Sequence, residues 1–358
     1  MFDVLMICPT SSQPRFHKRA VQLAKCKTVK ALAFSRGLYE ESCFGPEIEF
    51  FTLGKIQDGN YSKRLITLFK AIFTIRKVAR KSKKVMYYAF SLDCLIIAKL
   101  AGLTSGFYEI GDLRISHKSN WLFSKLEKYL LLSTNGVIIT SEYFYEGYFK
   151  NKKIERDFFH VIENKLSYDY FNGRRPKQET LFPTQKIRIG VVGLLRYEKP
   201  LTMLIKFVNK HPDKFSLDCY GDGTCKELFI KHSSKSICYH GSFKYPEQIM
   251  PIYRSIDISF VVYDSSSPNV KLALPNKLYE SAFFGVPLIC ASDTALESNV
   301  ERMRIGTGIS IESQDIFEQG MLSILSIDTL REYRENCFNV EEKDLIDHGH
   351  LVVEKLFR

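Results

Sequence analysis

Short apolar runs alternate with stretches of helical periodicity from one end of the chain to the other. That alternation is the pattern of stacked βαβ units, so the chain is restricted to an α/β fold with parallel sheets joined by helical crossovers. Strands are expected at Asp3–Cys8, Val29–Phe34, Glu47–Thr52, Val85–Tyr88, Ser105–Glu109, Gly136–Thr140 and Phe159–Ile162. A second series covers Lys186–Val192, Phe215–Tyr220, Ser236–His240, Ile256–Val262, Val286–Ala291 and Gly308–Ile311. Between them, Lys165–Gln185 contains Asn172-Gly173, Arg174-Arg175-Pro176 and Pro183 with little periodicity, and reads as a linker. A last helical pattern covers Glu341–Phe357. The expected organisation is an N-terminal domain over 1–165, a linker at 166–185, a second domain over 186–335 and a closing helical segment at 336–358. At 358 residues and 45% hydrophobic content the chain is long enough for two cores.

The charge is uneven. Residues 1–165 hold 27 Lys/Arg against 15 Asp/Glu, so the whole excess of the +11 chain lies there. Tyr61–Lys84 alone carries nine basic residues and no acid, with Leu65, Ile66, Leu68, Phe69, Ile72, Phe73, Ile75 and Ala79 recurring at helical spacing. This reads as an amphipathic helix whose apolar stripe packs on its own sheet, with a basic face suited to an anionic lipid surface. No recognised nucleic-acid motif accompanies the charge. No apolar run is long enough to span a bilayer, since Asp93 interrupts Val85–Ala98. The N-terminus resembles a buried strand rather than a signal peptide, and nine scattered cysteines with no C-x-x-C spacing read as buried thiols of a reducing cytoplasm.

In open parallel sheets ligands bind beyond the carboxyl ends of the strands. In the second half those loops carry phosphate-binding groups. After Val192 comes Gly193-Leu-Leu-Arg196-Tyr-Glu-Lys199-Pro200, in which Arg196 supplies a planar fork of donors and Lys199 a compact charge. After Tyr220 comes Gly221-Asp222-Gly223, which permits close backbone approach. After His240 comes Gly241-Ser-Phe-Lys244-Tyr245, and after Val262 a polar turn from Tyr263 to Asn269. Leu274-Pro275-Asn276-Lys277-Leu278-Tyr279-Glu280 then opens a helix at Pro275 that closes near Gly285. Its free N–H groups, with Lys277, suit a phosphate or diphosphate, and Glu280 a sugar or ribose hydroxyl. Each element alone is common; four successive strand-end loops suited to one phosphorylated ligand are not.

These residues resemble the nucleotide-sugar domain of the two-Rossmann-domain (GT-B) glycosyltransferases, and most of all the retaining, family-4-like enzymes of bacterial capsule, O-antigen and exopolysaccharide synthesis. Gly193 to Lys199 matches the family's Gly-to-Lys spacing, Gly221-Asp222-Gly223 its Gly-x-Gly strand end, and Pro275–Glu280 with Gly285-Val-Pro287 its Glu-ended helix. Pro14-Arg15-Phe-His17-Lys18-Arg19-Ala20 resembles the opening helix of such enzymes, and Tyr108-Glu109-Ile-Gly111-Asp112-Leu113-Arg114 their strand-end segment facing the cleft. Two positions depart from the pattern. Leu194 stands where the arginine usually follows the glycine, and Leu272 where many members carry a first glutamate.

The resemblance implies two Rossmann-like domains with parallel sheets facing across a cleft, the last helix crossing back to the first domain. It implies transfer of a sugar from a nucleotide-sugar donor, UDP-linked by preference, to a lipid-linked or oligosaccharide acceptor such as a polyprenyl-diphosphate-linked glycan. The work would be cytoplasmic, at the inner face of a membrane. Arg196, Lys199 and the helix start at Pro275, Asn276 and Lys277 would hold the donor's diphosphate, Gly221 and Gly223 would let the backbone approach the donor, Glu280 would hold the ribose, and Tyr245 would pack near the base. Glu109 and Asp112 are the candidate catalytic groups on the acceptor side; Arg15 and His17 face acceptor or donor phosphate, and His117 reads as a surface residue. No metal or other cofactor is expected, because lysine, arginine and a helix dipole would take the metal's role. A nucleotide-sugar 2-epimerase and a non-catalytic nucleotide-sugar binder remain as alternatives. An NAD-dependent oxidoreductase lacks its G-x-G-x-x-G after the first strand.

Overall fold

The computed structural model describes residues 2–35, 44–56, 61–114, 121–177 and 186–358, so His117 and linker residues 178–185 lie outside the described residues. The chain forms two compact units, Met1–Asn164 with His348–Arg358, and Lys165–Asp347.

The first unit is built on strands β1 (Val4–Cys8), β2 (Val29–Ser35), β3 (Glu49–Lys55), β4 (Met86–Phe90), β5 (Gly106–Ile110), β6 (Gly136–Ile139) and β7 (Phe159–Val161). All pair in parallel, in the order β3-β2-β1-β4-β5-β6-β7. Every residue of β1, β5 and β6 is buried, as expected of parallel strands covered by helices on both faces. The helix Pro14–Ala24, with Pro14 at its first position, buries Phe16, Ala20 and Leu23 in the core beside Tyr88 and Phe90. The helix Gly349–Phe357 packs against it and places Val353 and Phe357 in the same core, the Phe357 ring 4.9 Å from that of Phe107.

The basic helix, Tyr61–Ala79, differs from its expectation. Ala71 and Ile75 are buried, but Leu65, Ile66, Phe69 and Phe73 are 57–66% exposed, so much of the apolar stripe lies outside the core. Among the described residues no helix is long and apolar enough to cross a membrane.

The second unit holds β8 (Leu166–Ser167), β9 (Ile187–Leu194), β10 (Phe215–Asp222), β11 (Ile237–Gly241), β12 (Ile258–Val261), β13 (Leu288–Ala291), β14 (Gly306–Ile309) and β15 (Ile346–Asp347). Six form a parallel sheet in the order β11-β10-β9-β12-β13-β14, the strand order of the dinucleotide-binding fold. The thirteen strands expected from sequence are all present. The two that were missed, β8 and β15, pair only with each other.

This pair changes the reading of the linker. Residues 165–177 belong to the second unit: β8 is followed by the helix Tyr168–Phe171, and the Phe171 ring lies 5.6 Å from that of Phe283. Arg175 donates to the carbonyls of Cys337 at 2.6 Å and Ala282 at 3.0 Å. The closing segment is likewise broken. The helix Ile327–Asn339 runs across the expected boundary at 335, a short helix covers Glu342–Leu345, and only Gly349–Phe357 continues the last helix. Of the described cysteines none is disulfide-bonded, and Cys238 is exposed rather than buried.

Candidate functional site

In the second unit the strand order reverses between β9 and β12, which opens a crevice beyond their carboxyl ends. The β9 and β10 ends meet there backbone to backbone. Gly221 has φ +144°, and a Cβ on it would collide with the Gly193 carbonyl oxygen; Gly223, at φ +151°, would collide with that of Leu195. Only glycine accommodates both the torsion and the approach. Gly193 in turn accepts the Lys277 side chain, whose Cε lies 3.3 Å from where a Cβ would stand. The loop after β9 and the start of the helix Lys277–Phe284 are thereby joined.

That helix begins at Lys277 with Asn276 as its cap, so Pro275 stands before the cap rather than in the first turn, and Gly285 closes it at φ +71°. Glu280 is fully buried and completely engaged. Lys277 Nζ donates to it at 2.6 Å, Asn276 Nδ2 at 2.6 Å and the Tyr253 hydroxyl at 3.0 Å. The expected free carboxylate for a ribose is therefore closed over by its own neighbours in this structure. Burial, with the negative charge of Glu280 second, raises the phenols of Tyr253 and Tyr245, so both stay neutral donors. Lys277 is itself only 7% exposed, and its charge is compensated by Glu280.

Arg196 and Lys199 are exposed on the loop and first turn after β9, where the helix starts at Glu198 rather than Pro200. The Arg196 guanidinium lies 4.9 Å from the centre of the Tyr197 ring, and Tyr197 stacks on Tyr263 with centroids 4.9 Å apart and planes 29° apart. Tyr197 follows β9 and Tyr263 follows β12, so the stack sits across the reversal point itself. Sequence reasoning missed it, although both tyrosines lie in the strand-end loops it singled out. Tyr245 is half-buried, its ring 6.2 Å from Phe171, and Leu272 ends the short helix Pro268–Leu272, half-buried.

The first unit has its own reversal point, between β1 and β4. The Arg15 guanidinium lies directly on Gly111, in the space a Cβ would fill, which brings Arg15 beside exposed Asp112 in the loop after β5. Arg114 of the same loop donates to Asp93 at 2.8 and 3.0 Å, and Arg64 donates to Asp93 at 2.8 Å. Burial opposes ionisation of Asp93, but Arg114 and Arg64 outweigh it and hold the carboxyl below its ordinary value. Ser91, at the end of β4, has φ +71° and ψ 153°, a conformation costly for any residue but glycine. No feature of the sequence marked it.

Two expected residues stand elsewhere. Glu109 is 2% exposed, paired with Arg19 at 2.8 Å and bonded by the Tyr88 hydroxyl, so its carboxylate is held inside the unit rather than on its rim. His17 is tied to the segment before β3: its Nδ1 accepts from the Gly45 N–H at 3.4 Å, and its Nε2 lies 3.3 Å from Glu47.

No protein-family model matches the sequence, and no curated protein matches it. Solved structures do match in shape. HepE of Anabaena, in complex with UDP-glucose, superposes with TM-score 0.67 at 10% identity, over 100% of this chain and 98% of that one. Sucrose-phosphate synthase of Thermosynechococcus elongatus gives 0.70 at 13%, over 99% and 98%. WaaG, a glycosyltransferase involved in lipopolysaccharide biosynthesis, gives 0.68 at 14%, over 99% and 98%. At such identities the likeness is one of fold, and the fold is GT-B.

Proposed function

We propose that this chain transfers a sugar from a nucleoside-diphosphate sugar, with UDP as the favoured nucleotide, to a hydroxyl of a lipid-linked or oligosaccharide acceptor in surface-polysaccharide assembly. The observation that carries the reading is the convergence at the β9/β12 reversal. Two glycine-only positions join the ends of β9 and β10, Lys277 at the start of the helix Lys277–Phe284 lies against Gly193, and Arg196 and Lys199 follow in the loop and first turn after β9. The same fold holds UDP-glucose in HepE.

In this reading Arg196 and Lys199 bind the diphosphate, and Lys277 adds the donors that Glu280 leaves free. The Tyr197–Tyr263 stack forms an apolar wall beside the diphosphate, and Tyr245 packs near the base. As the glycosidic bond to the diphosphate breaks, negative charge builds on the leaving oxygen. Fixed cations and the helix dipole stabilise that charge without a metal ion. On the acceptor side Asp112 receives the hydroxyl proton, with Arg15 beside it for an acceptor phosphate. Glu109 contributes by fixing Arg19 and the end of β5. A lipid-linked acceptor places the reaction at the cytoplasmic face of a membrane.

The test is thermal stabilisation of the purified protein by UDP-, GDP-, CDP- and dTDP-sugars, with Lys199→Ala in parallel. A ligand at a hundredfold its dissociation constant contributes about 2.7 kcal/mol. For a unit of this size that is a shift of about 5–10 °C. A shift with the UDP-sugars that Lys199→Ala abolishes supports the reading. No shift with any of them, in a folded sample, overturns it.

A further inference from the structure

Nine of the sixteen exposed large hydrophobic side chains among the described residues lie on three helices of the first unit that pack side by side, Tyr61–Ala79, Leu92–Leu100 and Trp121–Leu132. The first helix is the most lopsided. At about 100° per residue, Leu65, Ile66, Phe69 and Phe73 fall within one arc of about 100°, and Arg76 falls in the same arc. The buried Ala71 and Ile75 lie on the other side. Apolar residues thus cover far more of this helix than its own sheet can bury. Leu100, Leu126, Tyr129 and Leu132, 48–72% exposed, extend the apolar surface over the neighbouring helices.

The C-terminal end of the same helix borders a cavity of about 780 Å³ at the amino ends of β1, β2, β4 and β5, opposite the end of the sheet that carries Arg15 and Asp112. Lys27, Arg76, Arg80, Lys83 and Lys84 line it. Its one carboxylate, Asp3, is taken up by the Thr28 N–H at 2.9 Å and hydroxyl at 2.7 Å. Among the described residues Arg76, Arg80, Lys83 and Lys84 make no ion pair and no side-chain hydrogen bond.

We propose that this face docks on an anionic phospholipid bilayer, with Leu65, Ile66, Phe69 and Phe73 entering the headgroup–acyl boundary and the cavity at the helix end receiving a lipid headgroup phosphate. An exposed apolar stripe that ends beside a cluster of unpaired cations, Arg76 on the helix and Arg80, Lys83 and Lys84 just after it, needs a partner that is both apolar and anionic, and a bilayer surface is both. A second copy of the chain answers only half of this. Residues 61–84 hold nine cations and no acid, so pairing the face with itself would set like charges together. The inference deepens the lipid-linked acceptor reading, but its test needs no acceptor, no donor and no turnover.

Full-length protein is spun with phosphatidylcholine vesicles with and without phosphatidylglycerol, at low and high salt, alongside Phe69→Glu/Phe73→Glu and Arg76→Ala/Arg80→Ala. Wild type should sediment with the phosphatidylglycerol vesicles and weaken at high salt. At about fivefold in partitioning per cation, Arg76→Ala/Arg80→Ala should bind about 25-fold less. Phe69→Glu/Phe73→Glu, which removes two inserted rings, should bind at least about a hundredfold less. Both variants should keep the wild-type melting curve and its shift with nucleotide sugar, so failure here stays distinct from failure of the transferase reading. No binding to anionic vesicles, or wild-type binding by both variants, overturns the proposal. So does a dimer in light scattering that Phe69→Glu/Phe73→Glu dissolves, because a second copy would then cover the face.

Discussion

The Lys277–Glu280 pair offers the sharpest test of the second unit. Glu280 has no exposed surface, and among the described residues its one cationic partner is Lys277 at 2.6 Å; Asn276 and Tyr253 supply neutral donors. Lys277→Ala would leave a buried carboxylate without its counter-charge, a loss of about 3–5 kcal/mol in comparable buried pairs. The unit spans Lys165–Asp347, a size at which each kcal/mol moves the midpoint by about 2–4 °C. Its melting should therefore fall by about 6–20 °C. Lys277→Ala/Glu280→Gln removes both charges; the amide oxygen can still accept from Asn276, and the amide NH2 can donate to the Tyr253 hydroxyl oxygen. The double variant should therefore recover most of the loss, a non-additivity of at least about 2 kcal/mol in the double-mutant cycle. Melting is followed by circular dichroism and calorimetry, with nucleotide-sugar titration on each variant. A Lys277→Ala midpoint within about 3 °C of wild type, or a double variant no more stable than the single one, would refute the claim that this ion pair is closed and structural. If Lys277 also serves the diphosphate, the double variant should melt near wild type and yet lose nucleotide-induced stabilisation.

Two further outcomes follow from the first unit. Asp93 has its carboxyl held below the ordinary value chiefly by Arg114 and then Arg64, against the opposing effect of burial, so its contribution to stability is complete above the ordinary carboxylate range and is lost as pH falls through the lowered value. Asp93→Asn should be less stable than wild type near neutrality, and urea midpoints of the two should converge below about pH 4. Asp112 and Glu109 should separate in their effects. Asp112→Asn should lower kcat for sugar transfer by about 10²–10⁴ with nucleotide-sugar binding unchanged. Glu109→Gln, which breaks the buried pair with Arg19, should chiefly lower the melting temperature.

The central strands β1, β5, β6, β12 and β13 were legible because each is a short apolar run buried along its whole length, a signal that parallel sheets write strongly. The helix Tyr61–Ala79 was legible as a helix, but its apolar residues were assigned to the core. The spacing of Leu65, Phe69 and Phe73 is helical whether a stripe faces a sheet or solvent, and only the packing of Ala71 and Ile75 decides which. β8 was invisible for a different reason. Two residues carry no periodicity, and the strand's partner, β15, lies nearly the whole second unit away in sequence. At the site, Gly221 and Gly223 could be read in advance because the chemistry of glycine is local. The closure of Glu280 by Tyr253 and the stack of Tyr197 on Tyr263 could not, since each joins residues brought together only by the sheet. Glu109 was misplaced by one pleat: its position at a strand end was right, and only the fold tells that its carboxylate meets Arg19 inside.

The first unit is discontinuous, ending at Asn164 and completed only by His348–Arg358. A ribosome makes the seven strands of its sheet first, yet the helix that brings Val353 and Phe357 into their core follows only after the whole second unit. The second unit is contiguous and can fold while the first still lacks those side chains. Of the two units, the one begun first is thus completed second. A chain cut short by its final eleven residues would keep the whole crevice at β9 and β12 but leave Tyr88 and Phe107 without their cover.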